Sequence, residues 1–353
     1  MSLVDPKRIL VVKLSSMGDV LHTLPALEAL HRAFPRARID WLVNRDYADL
    51  LSAHPRIHRL FFFERSRWGR WDRIWKTPGE AWALIRCLQG QGFDWTVDFQ
   101  GLLRSAAVAY ATRAPVRVGF ANGREGSPWF YTHRVPVPRT MHAVDRYLHL
   151  VQALGAPVQP AAFHVPVGEV HRREADRLLA CRGLQGRAYI AVAPSARWES
   201  KRWPPQRFAE LLDRLWSEDN RVPLLLGGAG DIPVLEAVAS RMRRRPPVMA
   251  GEARGLVLAA LLSRAEAMVA NDTGPMHLAA AVGTRVVALF GPTDPARTGP
   301  YGEGHRVVRR PVSCSPCFRR RCPTDHACME GIPVDEVAAA VRAGAGKRSG
   351  VPA

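Results

Sequence analysis

Lysine is nearly absent from this chain: five occur in 353 residues, although lysine and arginine together number 50. The cations are therefore mostly guanidinium groups, which stay charged and grip phosphate and carboxylate bidentately. Acidic residues are also few, at 32, which leaves a net charge of +18. That excess favours anionic partners: nucleic acid, acidic lipid headgroups or phosphorylated substrates. An arginine-for-lysine skew is also what codon bias in a GC-rich genome produces, so charge alone selects no partner. No run of about 18 apolar residues occurs, which argues against a membrane-spanning helix. Ile9–Leu14, the apolar run near the N-terminus, is too short for a secretory signal core and has no small-residue cleavage site after it. Both absences predict a cytoplasmic protein, and six cysteines in a reducing compartment argue against a disulfide scaffold.

Two phosphate-binding fingerprints are missing as well. The pattern G-x-x-x-x-G-K-[ST] does not occur, and Gly344–Arg348 resembles it only superficially. G-x-G-x-x-G is absent after the first apolar run, which disfavours a dehydrogenase. What is present is alternation. Arg8–Leu14, Arg38–Val43, Arg59–Phe63 and Trp95–Phe99 read as strands, with helical spacing between them at Val20–Leu30, Glu80–Gln91 and Leu102–Ala111. Gly155–Val167, with three prolines, reads as a connection, after which the alternation restarts from Tyr189–Ala193 to Arg285–Phe290. The expectation is an α/β chain of two Rossmann-like domains, residues 1–160 and 161–353, facing across a cleft, with ligands at the carboxyl ends of the strands.

Three constellations fall at such strand ends. Ser15-Ser-Met-Gly18-Asp19 follows the first strand, and Asp19 reads either as a helix cap or as a catalytic base. Asn271-Asp272-Thr273-Gly274-Pro275-Met276-His277 follows the apolar run Ala267–Ala270 and opens a helix, whose free amides suit an anion. A plain helix cap at Asp272 and Thr273 is the alternative. Ser195-Ala-Arg197-Trp-Glu-Ser-Lys201 follows Tyr189–Ala193, and Lys201 is either a phosphate partner or a solvated charge.

The run Ile9–Leu27, Val97–Ser105, Asp272–His277 and Phe290–Asp294 together resemble the lipopolysaccharide heptosyltransferases, glycosyltransferase family 9, over about residues 8–300 and in the family's order. The resemblance implies the GT-B fold, ADP-heptose as donor and no metal in catalysis. It implies Asp19 as the base that deprotonates the acceptor hydroxyl, and Lys201 as the residue steadying the departing diphosphate. It assigns Ser195, Asp231, Asp272, Thr273, Gly274 and His277 to the donor, although the short Asp231 side chain departs from the family's Glu. Arg65, Arg67, Arg70, Arg124, Arg146 and Gln100 fall on segments that meet a phosphorylated acidic glycolipid acceptor of the Kdo-lipid A type. Such an enzyme sits on the anionic cytoplasmic face of the inner membrane, and no nucleic acid is expected. By analogy with other GT-B enzymes, the helix Val334–Ala343 packs back on the first domain.

Cys314-Ser-Pro-Cys317, Cys322 and Cys328 depart from heptosyltransferase I and resemble loops of heptosyltransferase II-like relatives. Their spacing fits a structural zinc or iron site, with reduced thiols and disulfides as alternatives. Cys87 and Cys181 occupy apolar helical positions and read as core residues. The readings kept open are heptosyltransferase I, heptosyltransferase II or a relative with another nucleotide sugar, a basic nucleic-acid-binding protein, and a catalytically silent relative.

Overall fold

The structure, a computed structural model, describes residues 4–64, 77–157 and 159–343. The chain divides into two compact units, residues 1–166 and 167–353.

The first unit runs β1 (Arg8–Val12), α1 (Met17–Ala33), β2 (Arg38–Asn44), β3 (Arg59–Phe63), α2 (Thr77–Gln89), β4 (Trp95–Asp98), α3 (Leu103–Ala111), β5 (Val116–Phe120), β6 (His133–Val135) and α4 (Ala143–Gln152). Its sheet has the order β3-β2-β1-β4-β5-β6, parallel throughout. This is the doubly wound Rossmann order. Ile9–Val12 are fully buried, as expected of a β-branched strand covered by helices on both faces. Each such side chain contributes about 1.5–3 kcal/mol of burial. Strands β5 and β6, five and three residues long, are not among the four strands read from the sequence of this half.

The second unit runs α5 (Glu169–Ala180), β7 (Tyr189–Ala193), α6 (Pro205–Asp219), β8 (Val222–Gly227), α7 (Ile232–Ala239), β9 (Val248–Ala250), α8 (Gly255–Arg264), β10 (Ala267–Asn271), α9 (Gly274–Ala281), β11 (Val286–Phe290), α10 (Pro295–Thr298), β12 (Arg306–Arg309), α11 (Ala327–Glu330) and α12 (Val334–Arg342). Its parallel sheet, β12-β11-β10-β7-β8-β9, repeats the same winding. Proline at the first position starts α6, and Asn220 in the left-handed region ends it. The C-terminal helix α12 packs in the second unit, against α6, β11 and β12. Val334, Val337, Ala338 and Val341 join that unit's core, and Arg342 pairs with Glu218 and Asp219 of α6.

In each sheet the strand order reverses between two neighbours, β1 and β4 in the first, β7 and β10 in the second. Loops leaving such a pair turn to opposite faces and open a crevice at the carboxyl ends. The Asp19, Lys201 and Asp272 turns all leave these four strands.

Candidate active site

In the first unit, the chain leaving β1 turns through Ser15 and Ser16 into α1. Asp19 closes a capping box, its Oδ2 accepting from Ser16 N at 3.0 Å and Ser16 Oγ at 2.7 Å. The cap and base readings are thus compatible, because Oδ1 faces elsewhere. Oδ1 accepts from the Tyr147 hydroxyl at 3.3 Å and lies 3.7 Å from Lys13 Nζ. Lys13 in turn donates to Tyr147 Oη at 2.7 Å and to the Phe99 carbonyl at 2.9 Å. Lys13 is buried just past the end of β1, while the Asp19 side chain keeps 38% of its exposure. Tyr147 arrives from α4, which packs against α1.

The electrostatics follow from this placement. Burial lowers the Lys13 pKa from its ordinary 10.5, against the opposing pull of Asp19 and Asp98. Burial pushes Asp19 upward, but the Lys13 ammonium, the Ser16 amide and hydroxyl and His22 together outweigh it and hold Asp19 well below its ordinary 3.8. Burial and the Asp19 charge raise Tyr147 well above 10.0, so its phenol stays protonated and donates. Asp19 is an anion at every pH above 3.8.

The neighbouring loop after β4 supports the turn. Gln100 Oε1 accepts from Leu14 N and Ser15 N, both at 3.2 Å, so its carbonyl braces the backbone ahead of Asp19. Buried Asp98 accepts from Gln100 N at 2.8 Å, Gly101 N at 3.2 Å and Tyr131 Oη at 2.7 Å. Arg146 stacks 5.1 Å from the Phe120 ring centroid, and its charge acts on both Lys13 and Tyr147. Arg124 is exposed, with its backbone held by Gly101. Arg65, Arg67 and Arg70 lie outside the described residues.

In the second unit, Asp272 stands at the carboxyl end of β10. Its Oδ2 accepts from Lys201 Nζ at 2.5 Å and from Thr293 Oγ1 at 2.7 Å, and His277 Nε2 lies 3.9 Å from Oδ1. Asn271 ties the two loops together, donating to the Pro194 carbonyl at 2.7 Å and accepting from Trp203 N at 3.2 Å. Thr273 precedes α9, with Gly274 and Pro275 in its first turn, so the opening amides are not consumed by the helix. Ser195 Oγ is buried without a hydrogen-bond partner among the described residues. Asp231 instead accepts from Gly228 N at 2.8 Å and closes its own turn. Lys13, Tyr147, Asp98 and Thr293 belong to these arrays although sequence reasoning had not singled them out. Lys13 and Thr293 lay inside quoted motifs, whereas Tyr147 carried no signal.

Among the described residues no three His, Cys, Asp or Glu side chains are arranged to hold a metal ion. Cys314 is exposed, Cys317 and Cys322 are half-buried and Cys328 is buried, all as free thiols. Burial and the three neighbouring cysteines push the Cys328 thiol up to about 11. The loop is held by other bonds: Ser315 Oγ donates to Gly291 O at 2.5 Å and Phe318 N to Pro292 O at 2.8 Å. A side chain at Gly291 would sit 2.5 Å from Met329 Sδ and 2.9 Å from Cys328 Sγ, so only glycine permits this close approach. Cys87 and Cys181 are exposed, not core residues, because their helices turn those positions outward.

Two doubly wound units, each with polar groups gathered at its strand-order reversal, make the architecture of the GT-B class. Residues 81–328 match glycosyltransferase family 9 (heptosyltransferase), and the chain belongs to that family. It is similar to lipopolysaccharide heptosyltransferase 1 of Pseudomonas aeruginosa, 32% identical over 322 residues, covering 89% of this chain and 87% of the relative. The corresponding protein of Escherichia coli K12 is 29% identical over 308 residues, 86% of this chain and 94% of the relative. The solved structure of E. coli heptosyltransferase WaaC with ADP superposes with a TM-score of 0.76 at 26% identity, covering 96% of this chain and all of the other.

Proposed function

We propose that the protein is an inverting heptosyltransferase that moves heptose from ADP-heptose to the Kdo region of lipopolysaccharide, as heptosyltransferase I does. The observation that carries this reading is the carboxylate of Asp19. It is ionised, partly exposed and fixed at the strand-order reversal of one unit, while Lys201, Asp272 and the opening of α9 form an anion site at the reversal of the other. Asp19 takes the proton from the acceptor hydroxyl as that oxygen attacks the anomeric carbon, and the bond to the diphosphate breaks on the opposite face. Lys201, the α9 amides, Thr273, Gly274 and His277 meet the charge that builds on the diphosphate, with Ser195 as a further donor. Fixed dipoles and one cation supply what a metal supplies elsewhere. Arg124 and Arg146 are assigned to the acid groups of the acceptor. In the test, purified protein is given ADP-heptose with Kdo-lipid A or its monoheptosylated form, and mass spectrometry identifies the product. Gain of one heptose on Kdo-lipid A supports this reading. Gain only on the monoheptosylated form assigns the chain to the heptosyltransferase II reaction instead.

We place the enzyme on the anionic cytoplasmic face of the inner membrane. No helix among the described residues is long and apolar enough to cross a bilayer. Trp129 is 81% and Tyr110 58% exposed, and each carries an arginine over its ring, Arg134 at 5.6 Å and Arg117 at 5.3 Å. Tryptophan and tyrosine beside arginine are the side chains that settle at headgroup depth. Flotation with phosphatidylglycerol-containing vesicles is expected to carry the protein upward, and Trp129→Ser is expected to weaken that binding. Equal flotation of the variant, or equal binding to neutral vesicles, would count against this placement.

A further inference from the structure

The cysteine-rich loop is the part of the chain that the transfer reaction leaves unexplained. Three of its polar contacts converge on one residue, Ser200, in the short turn that carries Lys201. Ser200 N donates to the Arg320 carbonyl at 3.3 Å, Ser200 Oγ donates to the Arg319 carbonyl at 2.6 Å, and the Ser200 carbonyl lies 2.6 Å from His326 Nε2. A carbonyl can only accept, so His326 carries its proton on Nε2. Every polar group of Ser200 is thereby fastened to the 319–326 segment.

The fastening assembles a cavity of about 320 Å³ lined by Arg197, Trp198, Glu199, Arg202, Arg320 and Arg321. It sets four guanidinium groups against one carboxylate, and that carboxylate, Glu199, is an exposed partner 3.8 Å from Arg321 that neutralises little. Trp198 also lines it, with Lys201 Nζ 4.6 Å and the Arg320 guanidinium 6.0 Å from its ring centroid. Like charges gathered in one cavity repel until an anion enters, and guanidinium groups offer phosphate paired donors. The volume suits one phosphorylated sugar residue, not a whole glycolipid.

We propose that this cavity is an anion subsite that binds a phosphate group borne by the acceptor, and that the cysteine-rich loop serves to complete it. The donor diphosphate has its own partners in Lys201 and the α9 opening, which leaves these four arginines for a second anion. The assignment to the acceptor rests on the heptosyltransferase reading, whereas the existence of the anion subsite does not.

The test uses the full chain and an Arg320→Ala/Arg321→Ala variant, which removes two exposed side chains but keeps the carbonyl groups that hold Ser200. With ADP saturating, so that the donor's phosphate site is filled, inorganic pyrophosphate is titrated calorimetrically. The wild type is expected to bind it and the variant to bind it about 10-fold more weakly or worse, the loss typical of charged hydrogen bonds. In turnover, the KM for a phosphorylated acceptor is expected to rise by a similar factor while kcat and ADP affinity stay level. With phosphatase-treated acceptor, the two proteins should behave alike. Unchanged pyrophosphate binding overturns the subsite. Weaker ADP binding in the variant overturns the acceptor assignment and gives the cavity to the donor. An equal KM rise with both acceptors removes the phosphate. If the wild type transfers no heptose yet loses pyrophosphate binding on substitution, the heptosyltransferase reading falls and the subsite stands.

Discussion

Asp19→Asn is expected to lower kcat by about 10²–10⁴-fold, the usual contribution of a positioned general base. The substitution is nearly isosteric. Asn can still accept from Ser16 N, so the start of α1 is kept, but it cannot take a proton at the oxygen that faces Tyr147 and Lys13. ADP affinity should not change, because the anion-site residues Lys201, Asp272 and Thr293 belong to the second unit. Steady-state kinetics and an ADP titration on the same preparation check both halves. Full turnover in the variant would reduce Asp19 to a helix cap.

Lys13→Met is expected to move the enzyme's acid limb. In the wild type, Asp19 is held well below 3.8, so kcat/KM should show no loss from this group as pH falls to about 5, more than a unit above the ordinary carboxylate value. Lys13 is the largest of the influences that lower Asp19, so its removal raises the pKa of the carboxyl. The carboxyl then protonates at a higher pH than in the wild type, and activity falls as pH falls through that raised value. The other groups acting on Asp19 are unchanged: Ser16 at the start of its helix, His22 on the helix, and Tyr147 on α4. Lys13 also holds Phe99 and Tyr147, so a melting curve is needed beside the pH profile. Lost stability lowers activity at all pH values, whereas the displaced limb is specific to the ion pair. An unmoved limb in a folded variant would show that Lys13 does not set the charge on Asp19.

The architecture was legible where strands are apolar and helices amphipathic over several turns. Both Rossmann units and all three polar turns could be located because each turn directly follows a buried strand such as Arg8–Val12 or Ala267–Asn271. Short edge strands such as β6 and β9, three residues each, carry too few alternations to stand out. Pairings distant in sequence were invisible too. Tyr147 meets Lys13 across 134 positions, and His326 meets Ser200 across 126, with no periodicity linking either pair. The cysteine spacing likewise could not show that backbone carbonyls and a histidine of the loop fasten Ser200. Cys87 and Cys181 were misread because an apolar neighbourhood in sequence does not fix which way a helix turns its side.

The most direct test of the central claim is ADP release by the purified chain with ADP-heptose alone, with Kdo-lipid A added, and with the monoheptosylated acceptor added. Heptosyl transfer of the first kind predicts rapid release only when Kdo-lipid A is present, abolished by Asp19→Asn. No acceptor-dependent release with either glycolipid would contradict it.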